Sequence, residues 1–241
     1  MKKFLVVSLL VFLAATVASA SVLFTALPSG KGSWGVSGSY SQTSKFQGQS
    51  DATLNRPGVA LSYGIMDNLD LYVGYSMLSS NGVKGLISAL LPPIDFTTTG
   101  SQYGAELKYT ILNDAKGAPV SVAVGLGTAT IGTKTKWTIP ALVLGPTPVD
   151  MEQTANGNTS GVGVIVSKLF IPFVPYAAVQ YLMNGGDMGK STQIDITAGT
   201  VLAFSRNWAI LLEYSTQSTT PDGGGASTNN GQIAAEISYS M

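Results

Sequence analysis

The chain has no histidine and no cysteine. Without cysteine there are no disulfides, no thiol nucleophiles and no thiolate metal sites. Without histidine there is no Ser-His-Asp catalysis, no histidine-assisted nucleophile and no imidazole metal ligand. Charge is scarce too: Lys, Arg, Asp and Glu make up 11% of the 241 residues, against roughly 25% in ordinary soluble domains. Signs balance at 13 basic and 13 acidic residues, so no nucleic-acid partner is expected. Also missing is any unbroken apolar run of the ~20 residues that a transmembrane helix needs. The nearest stretch, Gly161 to Met183, carries Lys168 and Gln180 and is interrupted by Pro172 and Pro175. It reads better as two strands joined by a turn at Lys168–Pro172.

What is present begins with Met1-Lys2-Lys3, an uncharged apolar run from Phe4 to Val17, and Ala18-Ser19-Ala20 before Ser21. A basic start, a core too short to span a bilayer and an Ala-x-Ala site read as a secretory signal peptide over residues 1–20. Residues 21–241 are then one domain, with 11 basic and 13 acidic residues once Lys2 and Lys3 are removed.

Within that domain the stretch Val59–Leu78 sets the pattern. Val59, Leu61 and Tyr63 alternate with small or polar residues, a polar break follows, and Leu69, Leu71, Val73, Tyr75 and Met77 alternate again. That is a β-hairpin with one apolar face and one polar face per strand. The same pattern yields ten strands: Ser33–Gln42, Leu54–Gly64, Leu69–Leu78, Ser101–Leu112, Ala118–Thr128, Asn158–Ser167, Phe173–Met183, Ser191–Phe204, Asn207–Gln217 and Gly231–Met241. Longer Gly-, Ser-, Thr-, Asn- and Pro-rich connections, such as Ser79–Gly100, Ala129–Gly157 and Ser218–Asn230, alternate with tight turns at Ile65–Asn68, Asn113–Gly117, Lys168–Pro172 and Ser205–Arg206. An even number of strands with long loops at one end and short turns at the other describes an all-β fold, a ten-stranded antiparallel up-and-down transmembrane β-barrel. Both chain ends then lie at the short-turn, periplasmic end.

Parity assigns an outward face that contains no charge, for example Val36, Leu61, Val73, Leu107, Leu126, Val164, Ile196, Leu212 and Ile237. Aromatic residues sort to both strand ends. Trp34, Tyr63, Tyr109, Phe173, Trp208 and Tyr239 fall at the short-turn end, and Tyr40, Tyr75, Tyr103, Tyr181 and Tyr214 at the loop end. Two such girdles mark the two interfaces of a membrane. A soluble β-sandwich also alternates, but nothing in water sorts ring residues to both ends.

On these residues the sequence resembles the bacterial outer-membrane β-barrel proteins. Tyr63-Gly-Ile-Met-Asp-Asn-Leu-Asp-Leu71 looks like a periplasmic hairpin turn of that group, with looser echoes at Tyr109–Asp114 and Phe204–Trp208. Ile233, Ala235, Ile237 and Tyr239 resemble the group's C-terminal assembly signal, except that Met241 stands where an aromatic residue is usual. The resemblance implies an outer-membrane location with lipid as a partner. Outer-membrane hydrolases and acyltransferases rely on a histidine, which this chain lacks, so a non-enzymatic barrel without cofactors is expected.

The inward face carries Arg56, Asp70, Glu106, Lys108, Asp195, Glu213 and Glu236 among small and polar residues. Asp195, Glu213 and Glu236 lie on three consecutive strands, and Arg56 and Lys108 on two others, so threading around a cylinder sets an acidic wall facing a wall with the basic residues. Three readings follow. The charges bridge one another and fill the interior; they place a transverse field across a water path that selects small solutes or cations; or two carboxylates act as an acid–base pair. Ten strands lie near the closed end of the size range, so any pore is narrow.

The connections Val83–Pro93 and Pro140–Val149 are apolar for exposed segments; they read first as loops packed on themselves, with plugging the mouth, docking a partner or touching lipid as the alternatives. Asp187 in NGGDMGK and Asp222 in PDGGG lack the alternating acids of a calcium loop and read as turns. Gly125 and Gly127 sit inside a strand and form no phosphate cradle. The expected function is a narrow passive channel for small solutes or ions, or a closed envelope barrel; the alternative is a surface adhesin or ligand-binding barrel acting through its loops.

Overall fold

A computed structural model describes residues 26–45, 52–81, 83–85, 94–139, 148–187, 189–223 and 227–241. The signal-peptide reading of residues 1–20 lies outside them, as do most of Val83–Pro93 and Pro140–Val149. Ten long strands form the barrel: β1 (Trp34–Ser44), β2 (Thr53–Met66), β3 (Leu69–Asn81), β5 (Ile94–Leu112), β6 (Ser121–Ile139), β7 (Val149–Ser167), β8 (Phe173–Gly186), β9 (Ser191–Ala203), β10 (Trp208–Pro221) and β11 (Thr228–Ser240). A three-residue strand, β4 (Val83–Gly85), lies beside β5 at the loop end. Each long strand pairs antiparallel with its neighbour in the chain, β3 pairs with β5, and β1 pairs with β11. The sheet is therefore closed, and closure removes the exposed edges that an open sheet would leave.

The polarity of a soluble protein is inverted. Strand β8 alternates exposed and buried residues along nearly its whole length: Val179 and Tyr181 are outside, Tyr176 and Gln180 inside. Large apolar residues dominate the exposed set, with Val59 58% and Leu126 60% accessible. The buried set instead holds Arg56, Asp70, Lys108, Asp195 and a series of Gln, Ser and Thr side chains. A sheet can adopt this pattern stably only where its exterior meets lipid. Both aromatic girdles lie outside, and the register pairs their members across strands: Trp34 with Tyr63, Trp208 with Tyr239, Tyr75 with Tyr103. The Trp208 and Tyr239 ring centroids are 4.9 Å apart.

Three connections are shorter than the sequence pattern implied. Strands β5, β6 and β7 are each 19 residues long, so most of Ala129–Gly157 is paired strand, and β5 begins at Ile94 within Ser79–Gly100. A crossing needs only ~9–11 residues, but pairing continues wherever cross-strand side chains support it. Here they do: Lys134 bonds Glu152 at 2.7 Å, Lys136 lies 3.8 Å from the same carboxylate, and Phe96 packs on Trp137 with centroids 5.5 Å apart. The connection Ser218–Asn230 is shortened likewise, because β10 runs to Pro221 and β11 starts at Thr228.

The tight turns match expectation. Asn113 caps a single 3-10 turn, Asp114–Lys116, and Gly117 closes it at φ +98°. Asp187 accepts from the Asn156 N–H at 3.1 Å after Gly186 at φ +108°, and Asp222 precedes Gly223 at φ +105°.

Candidate functional site in the barrel lumen

All seven inward-facing charged residues of the sequence pattern lie inside the barrel. Six are buried and Glu106 is half-buried. They occur at three levels.

At the short-turn end, register places Asp70 directly opposite Lys108, and their charged atoms lie 3.3 Å apart. The Lys108 ammonium also lies 5.2 Å over the Tyr72 ring and donates to the Leu27 carbonyl at 2.8 Å. That carbonyl belongs to a segment preceding β1, Ala26–Ser33, which turns at Gly30 (φ +88°) and Gly32 (φ +80°) and enters the mouth. The Ser29 N–H lies 3.1 Å from both oxygens of Asp70. Thr110 Oγ1 donates to the Ala26 carbonyl at 2.9 Å, and the Ala26 N–H donates to Ser167 Oγ at 3.2 Å. Ala26 itself packs among Ala123, Ile165, Tyr176, Ala178 and Leu211. The segment therefore crosses from β2 and β3 to β6, β7 and β8 as a strap over the lumen.

The middle level holds Glu106, Glu213 and Glu236, which line one cavity of about 120 Å³ with Gln102, Tyr72 and Leu211. Glycines of β2, β3, β5, β6 and β7 supply much of the remaining wall. Tyr176 reaches this level by crossing Gly199, its register partner on β9, where an added Cβ would lie 2.6 Å from the phenol oxygen. Its hydroxyl then donates to Glu213 Oε2 at 2.6 Å. Ser37 hydrogen-bonds Glu236. A second cavity of about 210 Å³ lies beside the strap, lined by Leu27, Gly35, Ser62, Lys108 and Ser238 among others. The two cavities share Ala60, Tyr72 and Leu211, so these three residues separate them.

On the loop side, Arg56 and Asp195 interact electrostatically. Gln193 Nε2 donates to Asp195 Oδ1 at 2.6 Å, while Gln217 Nε2 at 2.9 Å and Thr43 Oγ1 at 3.2 Å both donate to Gln232 Oε1. Acidic and basic residues are thus interleaved at the two ends rather than divided into facing walls, and only the middle level is purely acidic. Among the described residues no three acidic side chains come together as a metal-ion site.

Three participants escaped the sequence reading. Ala26–Ser33 shows no periodicity, so only its proline and glycines hint at an ordered turn. Tyr72 and Tyr176 have inward parity, and a ring on an otherwise polar face was the available signal.

No protein-family model and no curated protein matches this sequence. In overall structure the chain is similar to the transport unit of the autotransporter AIDA-I from Escherichia coli at 12% identity and a TM-score of 0.48, covering 97% of each chain. It is also similar to an outer membrane channel from Pseudomonas putida F1 at 12% identity and a TM-score of 0.46, covering 90% of this chain and 98% of that one. A third similarity is to the outer membrane protease OmpT from Escherichia coli, at 10% identity and a TM-score of 0.45, over 87% and 95% of the two chains. By its own closed sheet, apolar exterior and paired girdles, the chain is a ten-stranded β-barrel of the bacterial outer-membrane type.

Proposed function

We propose that the protein is a narrow, non-enzymatic passive channel of the outer membrane that favours small cations, with its termini in the periplasm. The observation that carries this reading is the pair of stacked cavities meeting at Ala60, Tyr72 and Leu211. They trace a path from mid-lumen past one side of the strap, narrowed at Ala60, Tyr72 and Leu211, of which Tyr72 and Leu211 can change rotamer. A lumen fully filled by an ion-pair network would leave no such path. The three carboxylates on that path favour cations by direct charge and by exclusion of anions.

The test is single-channel current through the refolded barrel in a planar bilayer. Small discrete steps that shrink when Glu213→Gln and Glu236→Gln are combined support the channel. A folded barrel that carries no current defeats it.

One observation favours a second reading, a surface adhesin or ligand-binding barrel. The paired β6–β7 extension, with Trp137 packed on Phe96 and Glu152 between two lysines, forms an ordered platform beyond the bilayer. Shortening that hairpin at the Thr133–Ala155 pair would abolish attachment to a surface or ligand and leave folding intact if this reading holds.

A further inference from the structure

We propose that the mid-lumen cavity is a binding site for a small organic cation bearing several N–H donors, an alkylammonium or guanidinium group. The proposal deepens the channel reading and rests on it for how the ligand arrives.

Charge balance comes first. Among the described residues, the inward face of the strands carries five carboxylates, Asp70, Glu106, Asp195, Glu213 and Glu236, against two cations, Arg56 and Lys108. The strands thus hold an excess of three carboxyl groups over cations in a largely enclosed space. Neither cation lines the middle cavity, whereas Glu106, Glu213 and Glu236 all do. Buried charge without a compensating partner is costly, so an exogenous cation has its most favourable position here.

Acceptor inventory gives an independent argument. Gln102, 8% accessible, lines the same cavity, and its Oε1 has no hydrogen-bond partner. Glu106 Oε1 and Glu236 Oε1 are also without partners. A buried acceptor left without a donor is costly, and all three acceptors call for one.

Geometry selects the class of ligand. The acidic groups surround the cavity without converging on one point, since no three of them form a metal-ion site among the described residues. A bare metal ion would reach too few of them at once. A planar guanidinium or an ammonium projects donors in divergent directions and can address several. Tyr72, Leu182 and Leu211 supply apolar surface for the carbon portion, and at about 120 Å³ the cavity far exceeds the ~10–15 Å³ that a single water needs.

The test is calorimetric titration of the refolded full barrel at pH 8 with methylammonium and, separately, with guanidinium at low millimolar concentration. Conductance is recorded on the same preparation. The expected result is saturable binding of at least one probe, weakened tenfold or more by Glu236→Gln and by Glu106→Gln, and unchanged by Asp150→Asn on the exposed hairpin. Gln102→Met removes a single uncharged acceptor and serves where a charge variant does not refold; it too must weaken binding. Absence of saturable binding to the native barrel, or equal affinity in the lumen variants, overturns the proposal. Cation-selective current without saturable binding keeps the channel and removes the site. Saturable, Glu236-dependent binding in a silent barrel keeps the site and removes the channel.

Discussion

Replacing Lys108 with methionine isolates the contact that holds the strap in the mouth. The substitution keeps most of the side-chain volume and removes only the ammonium, which touches Asp70 at 3.3 Å and the Leu27 carbonyl at 2.8 Å. Both charged side chains are inaccessible to solvent, at 2% and 0%. Asp70 is then left as a buried anion that keeps the Ser29 N–H but has lost its ammonium partner. Removing one partner of a buried ion pair costs about 3–5 kcal/mol. The neighbouring cavity of about 210 Å³ admits water, so we expect the lower end, about 3 kcal/mol, which is a factor of roughly 100 in an equilibrium constant. Adding Asp70→Asn removes the stranded charge while keeping an acceptor for Ser29, and this double variant should recover part of the loss. Urea unfolding of the barrel in lipid vesicles gives the stability change. Amide exchange at Ser29 gives the release of the strap, expected to accelerate at least tenfold. A loss below about 1 kcal/mol with unchanged exchange at Ser29 would refute the idea that this pair latches the strap.

Three further outcomes follow from the geometry. Leu211→Ala, at the narrowing between the two cavities, should raise single-channel conductance; because Leu211 also packs on Ala26, stability falls by about 2–5 kcal/mol, the usual range for a buried leucine. Val164→Arg on the outer face should destabilise the barrel in lipid by about 2–4 kcal/mol, the cost of a cation near the bilayer midplane, whereas the 46% accessibility of this site would make the change nearly free in water. Asp114 lies in the turn between β5 and β6, outside the membrane. The Leu169 N–H, then the Ser121 hydroxyl and the Lys168 ammonium, hold its carboxyl below the usual carboxylate range. A carboxyl lowered on folding stabilises at pH above its unfolded pKa of about 4 and loses that contribution as pH falls through the folded value. Asp114→Asn should therefore lower stability at neutral pH, where this contribution is fully present, and flatten the acid limb of the stability curve below about pH 4, where the native protein has lost it, read by intrinsic fluorescence during acid titration.

The fold was legible because a barrel writes its two solvents into strict alternation. Val59, Leu61 and Tyr63 could only face lipid if Arg56 and the other inward charges faced the lumen, and a one-residue slip would have exchanged them. The extension of β6 and β7 was not legible by the same logic, since Lys134, Thr135 and Lys136 carry no apolar face and owe their strand state to partners on β7. The strap was hidden more deeply. Ala26-Leu-Pro-Ser-Gly-Lys-Gly-Ser33 has no period, and its place depends on groups distant in the chain, Asp70, Lys108, Thr110 and Ser167. Separation of the charges into three levels likewise depends on how the strands are staggered around the barrel, which parity alone does not specify.

The proposed channel comes down to a narrow water path through the lumen whose carboxylates select cations. The reversal potential of single channels in a salt gradient tests it most directly. A cation-selective lumen gives a shift toward the cation equilibrium potential that diminishes in the combined Glu213→Gln and Glu236→Gln variant. A reversal potential near zero or toward the anion in the native barrel would contradict it.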